Sequence, residues 1–117
     1  MLDACRRYGV KRFIFSSSSS VYGDSQDSPK IEGAEGNPLS PYAVTKSLNE
    51  KYAKVYSQLH DMETVGLRYF NVFGPKQDPN GAYAAVIPLF MKAAIDKVAP
   101  TINGDGLQSR DFTYVDN

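Results

Sequence analysis

Tyr42 and Lys46 stand four residues apart in the stretch Ser40-Pro41-Tyr42-Ala43-Val44-Thr45-Lys46. In a helix that spacing projects both side chains from one face, one turn apart. A phenol with a pKa near ~10 is a poor base at neutral pH, but an ammonium fixed beside it favours the phenolate. The pair therefore suits proton transfer to and from a hydroxyl. Tyr-x-x-x-Lys strings also occur on helices that do no chemistry, so weight comes from the surroundings. Five consecutive serines, Ser16 to Ser20, lie upstream, and Arg68-Tyr69-Phe70-Asn71 lies downstream. Serine hydroxyls beside a phenol can hydrogen-bond a substrate alcohol.

These residues need elements to position them. Ser40 suits an N-cap and Pro41 a first helical position, which predicts a helix from Ser40 to about Asp61. At about 100° per residue, Leu48, Tyr52, Val55 and Leu59 form one stripe, and Tyr42, Lys46, Asn49, Ala53 and Tyr56 another. Glu50, Lys51, Lys54 and Ser57 read as the solvated face, and His60 as an exposed end. Two non-solvated stripes fit a helix between a sheet and a second layer or a partner subunit. Val10 to Ser16 reads as a strand whose Phe-Ile-Phe centre is buried on both faces. Thr64 to Tyr69 reads as the next strand, giving strand–helix–strand and a parallel crossover. The serines and Asn71 then lie at the carboxyl ends of the strands, where open α/β sheets place ligand sites. That position argues against a flexible serine linker.

Ser25 to Leu39, rich in Gly, Pro, Asp and Glu, is long enough to be a covering loop. Leu2, Cys5 and Tyr8 make the apolar stripe of a helix ending at Gly9. Asp78-Pro79-Asn80-Gly81 is a turn, and Tyr83 to about Lys97 reads as a helix with Pro88 near its start. Thr101-Ile102-Asn103 and Arg110 to Val115 read as short strands around the turn Gly104-Asp105-Gly106. That turn has Ser109 where a dinucleotide loop needs its third glycine.

The 117 residues suffice for at most one small domain. Thirteen basic and 13 acidic residues cancel, so charge gives no nucleic-acid or anionic-membrane field. Cys5 is the only cysteine and His60 the only histidine, too few for a disulfide or a zinc site. No run reaches membrane-spanning length and no signal peptide opens the chain, so a soluble, cytoplasmic protein is expected.

Four segments fall into one pattern: Phe15 with the serine run and Val21-Tyr22-Gly23, Tyr42-x-x-x-Lys46, Leu67-Arg68-Tyr69-Phe70-Asn71, and Ser109-Arg110-Asp111-Phe112. Together they resemble the extended short-chain dehydrogenase/reductases, specifically the NAD-dependent UDP-sugar 4-epimerases. Leu39 to Lys46 and Gln77 to Pro88 look most like the UDP-N-acetylglucosamine 4-epimerase branch. The resemblance implies that Tyr42 is the base at the sugar 4-hydroxyl while hydride passes to NAD. Lys46 would assist it and bind the nicotinamide ribose, with Tyr69 also on the cofactor side. Ser18 would be the catalytic serine, with Ser19 and Ser20 able to share its contact. Asn71, Gln77, Ala85 and Val86 would line the nucleotide-sugar pocket, and Arg110 would clamp the diphosphate. Outside the set, Asn71 would merely cap a loop and Arg110 merely pair with Asp111.

The resemblance also implies a partial Rossmann-like parallel sheet with flanking helices. Residues 1–75 would belong to the NAD-binding domain and 76–117 would begin the nucleotide-sugar portion. The Gly-x-x-Gly-x-x-Gly unit that holds the NAD pyrophosphate is not in the sequence, so a middle fragment, inactive alone, is expected. The related dehydratases carry an Asp-Glu pair where this chain has Ser19 and Ser20, leaving no evident carboxylate for water elimination. Family members are often homodimers through such helices, and a dimerising fragment without catalysis is the alternative in another class. A decarboxylase or reductase on the same scaffold is a third.

Overall fold

In the computed structural model, which describes residues 1–81 and 85–117, the Ser40 hydroxyl accepts the Ala43 N–H at 3.1 Å. Pro41 then opens the longest helix. The chain divides into two units, Met1–Tyr69 and Phe70–Asn117.

The first unit runs α1 (Leu2–Arg7), β1 (Arg12–Ser16), a 3₁₀ turn (Ser19–Tyr22), α2 (Pro41–Leu59) and β2 (Glu63–Leu67). β1 and β2 pair in parallel, with Arg12 opposite Glu63 and Ser16 opposite Leu67, as the strand–helix–strand pattern predicts. Two further bonds carry the ladder past the strand ends: Ser17 N–H to Leu67 O at 2.8 Å and Ser19 N–H to Tyr69 O at 3.0 Å. The core is small and includes Val21, Tyr22, Ala43, Ala53 and Met62, with Ser17 the buried polar residue. Alanines at 43 and 53 let α2 lie close to β2 and the 3₁₀ turn.

Three expectations for this unit are corrected. β1 is not buried on both faces: Phe13 and Phe15 stack at 6.0 Å and are half-buried, while Ile14 is 58% exposed. The Phe side faces α1 and α2 across a groove of about 470 Å³. The inner face of α2 follows neither apolar stripe. It runs through Ala43, Lys46, Ser47, Glu50 and Ala53, while Leu48, Tyr52, Val55 and Leu59 are exposed. Glu50 is therefore half-buried rather than solvated, because a cation from the end of β2 meets it there. His60 is also half-buried, its ring 5.3 Å from that of Tyr56.

Residues 25–39 contain no helix or strand, as their composition predicts. The loop is fastened at its base, where the Asp24 carboxylate accepts Asn37 N–H at 2.6 Å and Asn37 Nδ2 at 3.2 Å. These amides hold the Asp24 carboxyl below its ordinary range. Gly36 N–H reaches Tyr22 O at 3.0 Å.

In the second unit β3 (Val72–Phe73) pairs in parallel with β4 (Thr113–Tyr114). The strand expected at Thr101–Asn103 is absent, and the one expected over Arg110–Val115 shrinks to β4. Thr101–Asn103 lies between Pro100 and the positive-φ Gly104 and Gly106, with no strand beside it among the described residues. The short β3, in a stretch expected to be loop, exists only because β4 returns to it. α3 spans Val86–Ile95, ending two residues before Lys97; Tyr83, its expected start, lies outside the described residues. Pro88 is its third residue, where a missing N–H breaks no helical bond. Asn80 N–H bonds Asp78 Oδ1 at 2.8 Å in the expected turn. Among the described residues no helix is long and apolar enough to cross a membrane.

Gly23 tests how tightly the loop base fits. Its φ is +53°, and a Cβ there would sit 1.9 Å from Asn37 O, whereas Gly33, at φ +88°, has nothing within 4 Å. Gly23→Ala is expected to destabilise the chain by at least ~2–3 kcal/mol, and Gly33→Ala by only ~1 kcal/mol, in urea titrations. Equal effects would show that the close approach of residues 23 and 37 is not a stability determinant.

Candidate active site

Tyr42 occupies the first turn of α2, set there by the Ser40 cap, and is 55% exposed. Lys46 follows one turn on. Its Nζ lies 5.6 Å from the Tyr42 ring centroid and donates to Ser16 O at 2.8 Å. A single ammonium thus joins the phenol-bearing helix to the carboxyl end of β1, where the serine run begins. Ser18 caps the 3₁₀ turn, its Oγ accepting Ser20 N–H at 3.2 Å. Ser19 is tied by its amide to Tyr69 O, and Ser20 Oγ is buried without a hydrogen-bond partner. All six expected residues Ser18, Ser19, Ser20, Tyr42, Lys46 and Tyr69 belong to the first unit, where contacts link Lys46 to Tyr42 and to the start of the run, and Ser19 to Tyr69.

In the second unit Asn71 adopts a φ of +32° and its Nδ2 donates to Asp111 O at 2.8 Å. Gln77 lines a pocket of about 250 Å³ with Val72, Phe73 and Val115, its Oε1 buried without a partner. Ala85 and Val86 form the N-cap and first residue of α3. Arg110 is exposed; its Nη1 donates to Ser109 O at 2.8 Å and its Nη2 lies 3.5 Å from Gln108 Oε1. No pairing of Arg110 with Asp111 forms among the described ion pairs.

Spacing gave no hint of the strongest charge cluster. Arg68 donates from Nε to Glu50 Oε1 at 2.9 Å and from Nη2 to Glu50 Oε2 at 2.7 Å. Its Nη1 donates to Glu35 Oε1, and its guanidinium carbon lies 4.8 Å from the Tyr22 ring centroid. Ser17 Oγ donates to Glu50 Oε1. The Arg68 bonds, helped by Ser17, hold the Glu50 carboxyl below its ordinary range against partial burial. Gly33 N–H, followed by Arg68, does the same for Glu35. The bond to Glu50 pushes the Arg68 guanidinium above its already high ordinary value. The partners lie 18 and 33 residues from Arg68 in sequence, beyond any helical or strand period.

Lys46 thus lies beside the Tyr42 ring and is anchored on the Ser16 carbonyl at the carboxyl end of β1. Residues 1–117 match the NAD dependent epimerase/dehydratase family throughout. The chain belongs to this family. A putative UDP-glucose 4-epimerase of Methanocaldococcus jannaschii is 42% identical over 116 residues, 98% of this chain and 38% of that protein. A UDP-N-acetylglucosamine 4-epimerase from Methanobrevibacter ruminantium, solved with UDP-N-acetylmuramic acid, matches with a TM-score of 0.91 at 50% identity, covering 97% of this chain and 36% of that one. A UDP-glucuronic acid 4-epimerase from Bacillus cereus, solved with UDP-glucuronic acid and NAD, matches with a TM-score of 0.85 at 41% identity, covering 98% of this chain and 35% of that one. The chain thus spans little more than a third of these relatives.

The residues present fit one end of a dinucleotide. Ser16, whose carbonyl holds Lys46, also lines the groove between β1 and α2, with Asn49, Tyr52 and Tyr56. The Lys46 ammonium, held on the Ser16 carbonyl, has the chemistry to donate to a ribose hydroxyl. The phosphates would need a glycine-rich turn, which these 117 residues do not contain.

The Arg68 cluster makes stability acid-sensitive. Glu50 and Glu35 lie below the ordinary value of 4.5 in the folded chain. Their contribution is therefore present above that value and is lost as pH falls through the lower folded values. Urea midpoints are expected to fall steeply below about pH 4.5, and Glu50→Gln to flatten that fall while lowering stability at neutral pH. Parallel acid dependences in the two proteins would show that Glu50 does not carry it.

Proposed function

We propose that this chain supplies the proton-transfer residues of an NAD-dependent UDP-sugar 4-epimerase. The observation that carries the reading is Lys46, held on the Ser16 carbonyl beside the Tyr42 ring at the carboxyl end of β1. Tyr42 accepts the proton of the sugar 4-hydroxyl and returns it to the 4-ketone oxygen once the sugar has presented its other face. Ser18 hydrogen-bonds the same oxygen, with Ser19 and Ser20 as neighbours. Lys46 places a positive charge beside the phenol and holds a ribose hydroxyl, with Tyr69 on the cofactor side. NAD, when bound, takes up and gives back the hydride at sugar C4. Asn71, Gln77, Ala85, Val86 and Arg110 bind the nucleotide and its diphosphate. On this reading residues 1–75 complete a dinucleotide-binding domain and 76–117 begin the sugar-nucleotide portion.

Half-identity to the Methanobrevibacter ruminantium enzyme supports an N-acetylhexosamine substrate, UDP-GlcNAc/UDP-GalNAc, over UDP-glucose/UDP-galactose. Serines at 19 and 20 support epimerisation over water elimination within a family whose description spans both reactions. Without a phosphate cradle, the 117 residues alone are proposed to bind NAD weakly and to turn over nothing.

The test is a chimera in which residues 1–117 replace the matching stretch of the Methanobrevibacter ruminantium epimerase. It is expected to interconvert UDP-GlcNAc and UDP-GalNAc, with Tyr42→Phe losing on the order of 10³-fold in kcat and Lys46→Met about 10²-fold. A folded Tyr42→Phe chimera within about threefold of its parent would refute the assignment of the base. A dehydrated or decarboxylated product from UDP-GlcNAc, UDP-glucose or UDP-glucuronate would favour the other reactions on this scaffold. The exposed row Leu48, Tyr52, Val55 and Leu59 is proposed to pack on a second copy. Val55→Glu is then expected to turn a dimeric chimera monomeric in sedimentation, and a chimera already monomeric would contradict this.

A further inference from the structure

Five identical residues in a row carry no register of their own. Any serine of the run can take its neighbour's place with no change of side chain, although in the extended part of the run a one-residue slip turns a hydroxyl to the opposite side. Something outside the run must decide which serine meets the substrate. We propose that Arg68, acting through Glu50 and Ser17, is the positioning residue that fixes the register of the serine run and so presents Ser18 to the reacting hydroxyl.

Ser17 is where the degeneracy is broken. It is 3% exposed, its amide is bonded to Leu67 O, and its Oγ donates to Glu50 Oε1. Among the described residues no other serine hydroxyl of the run bonds a charged acceptor: Ser18 Oγ accepts an amide and Ser20 Oγ has no partner. Glu50 is available at that point because Arg68 grips both its oxygens. Arg68 itself sits between Leu67 and Tyr69, the two residues whose carbonyls receive the Ser17 and Ser19 amides. One residue of the β2 edge thus governs the run from both directions, with neighbouring carbonyls holding its backbone and a relayed carboxylate holding its side chain.

The same guanidinium reaches Glu35 and stacks on Tyr22, so the 25–39 loop is fastened to the point that sets the register. Arg68 is only 18% exposed, and its partners are internal, so it acts on the serine run rather than on a substrate. The proposal rests on the epimerase reading for the role of Ser18, but the register itself does not.

Amide hydrogen exchange of the 117-residue chain reads the register directly. Ser17→Ala and Glu50→Gln are expected to speed exchange of the amides at positions 17 and 19 by about tenfold or more, while Phe13 to Phe15 keep their protection. Unchanged exchange at positions 17 and 19 overturns the proposal. Ser17→Ala leaves the Arg68–Glu50 pair whole, so it carries the test if Glu50→Gln does not fold. In the chimera, Ser17→Ala is expected to lower kcat about tenfold with KM for UDP-GlcNAc nearly unchanged, because a small misplacement costs rate more than binding. In a Ser18→Ala background the same substitution is expected to cost less than about twofold, since the group it positions is gone. Equal losses in both backgrounds would mean a purely structural role and overturn the positioning claim. Wild-type turnover by Tyr42→Phe would instead overturn the epimerase reading, with the exchange result still deciding the register.

Discussion

Arg68 binds two carboxylates that the chain delivers from 18 and 33 residues away, Glu50 on the long helix and Glu35 on the irregular loop. Ion pairs taken out of water often return little net stability, because desolvation offsets their attraction. Here the side chains stay 18% to 30% exposed, which softens that cost, and the bidentate hold on Glu50 adds direction to charge. What the cluster supplies is therefore best described as placement. It turns Glu50 inward, ties the loop over Tyr22, and gives the Ser17 hydroxyl an acceptor.

The long helix serves two purposes on adjacent faces. Ala43 and Ala53 let it approach β2 and the 3₁₀ turn, and Glu50 between them meets Arg68. Lys46, on the border of that face, reaches the Ser16 carbonyl. Tyr42 stands one turn earlier and remains open to solvent. Parallel pairing of β1 and β2 puts both carboxyl ends on the same side. That is why the serine run, Arg68 and Tyr69 converge there despite their distance in sequence.

Much of this was legible in order along the chain. Ser40, Pro41 and the period of the following residues marked the helix, because capping and amphipathicity act within a few residues. Val10–Ser16 and Thr64–Tyr69, separated by one helix, implied the parallel pair. Tyr42 and Lys46 announced themselves by spacing. The inward turn of Glu50 did not, since between Lys46 and Lys51 it reads as one more charge on a wet face. β3 was equally hidden: it is two residues long and pairs only with β4, some forty residues further on, whose own strand was expected over a longer stretch than it keeps. The strand predicted at Thr101–Asn103 failed for the converse reason, having local propensity and no neighbour.

The sequence by itself determined the helix with its Tyr–Lys pair, the parallel strand–helix–strand unit and the family, because each depends on residues close in the chain or on several motifs recurring in order. Tertiary structure alone decided which face of that helix lies inward, which side of β1 is covered, and which serine is held. Those choices depend on a guanidinium at residue 68 meeting carboxylates at 35 and 50, and no local pattern encodes a meeting at that range.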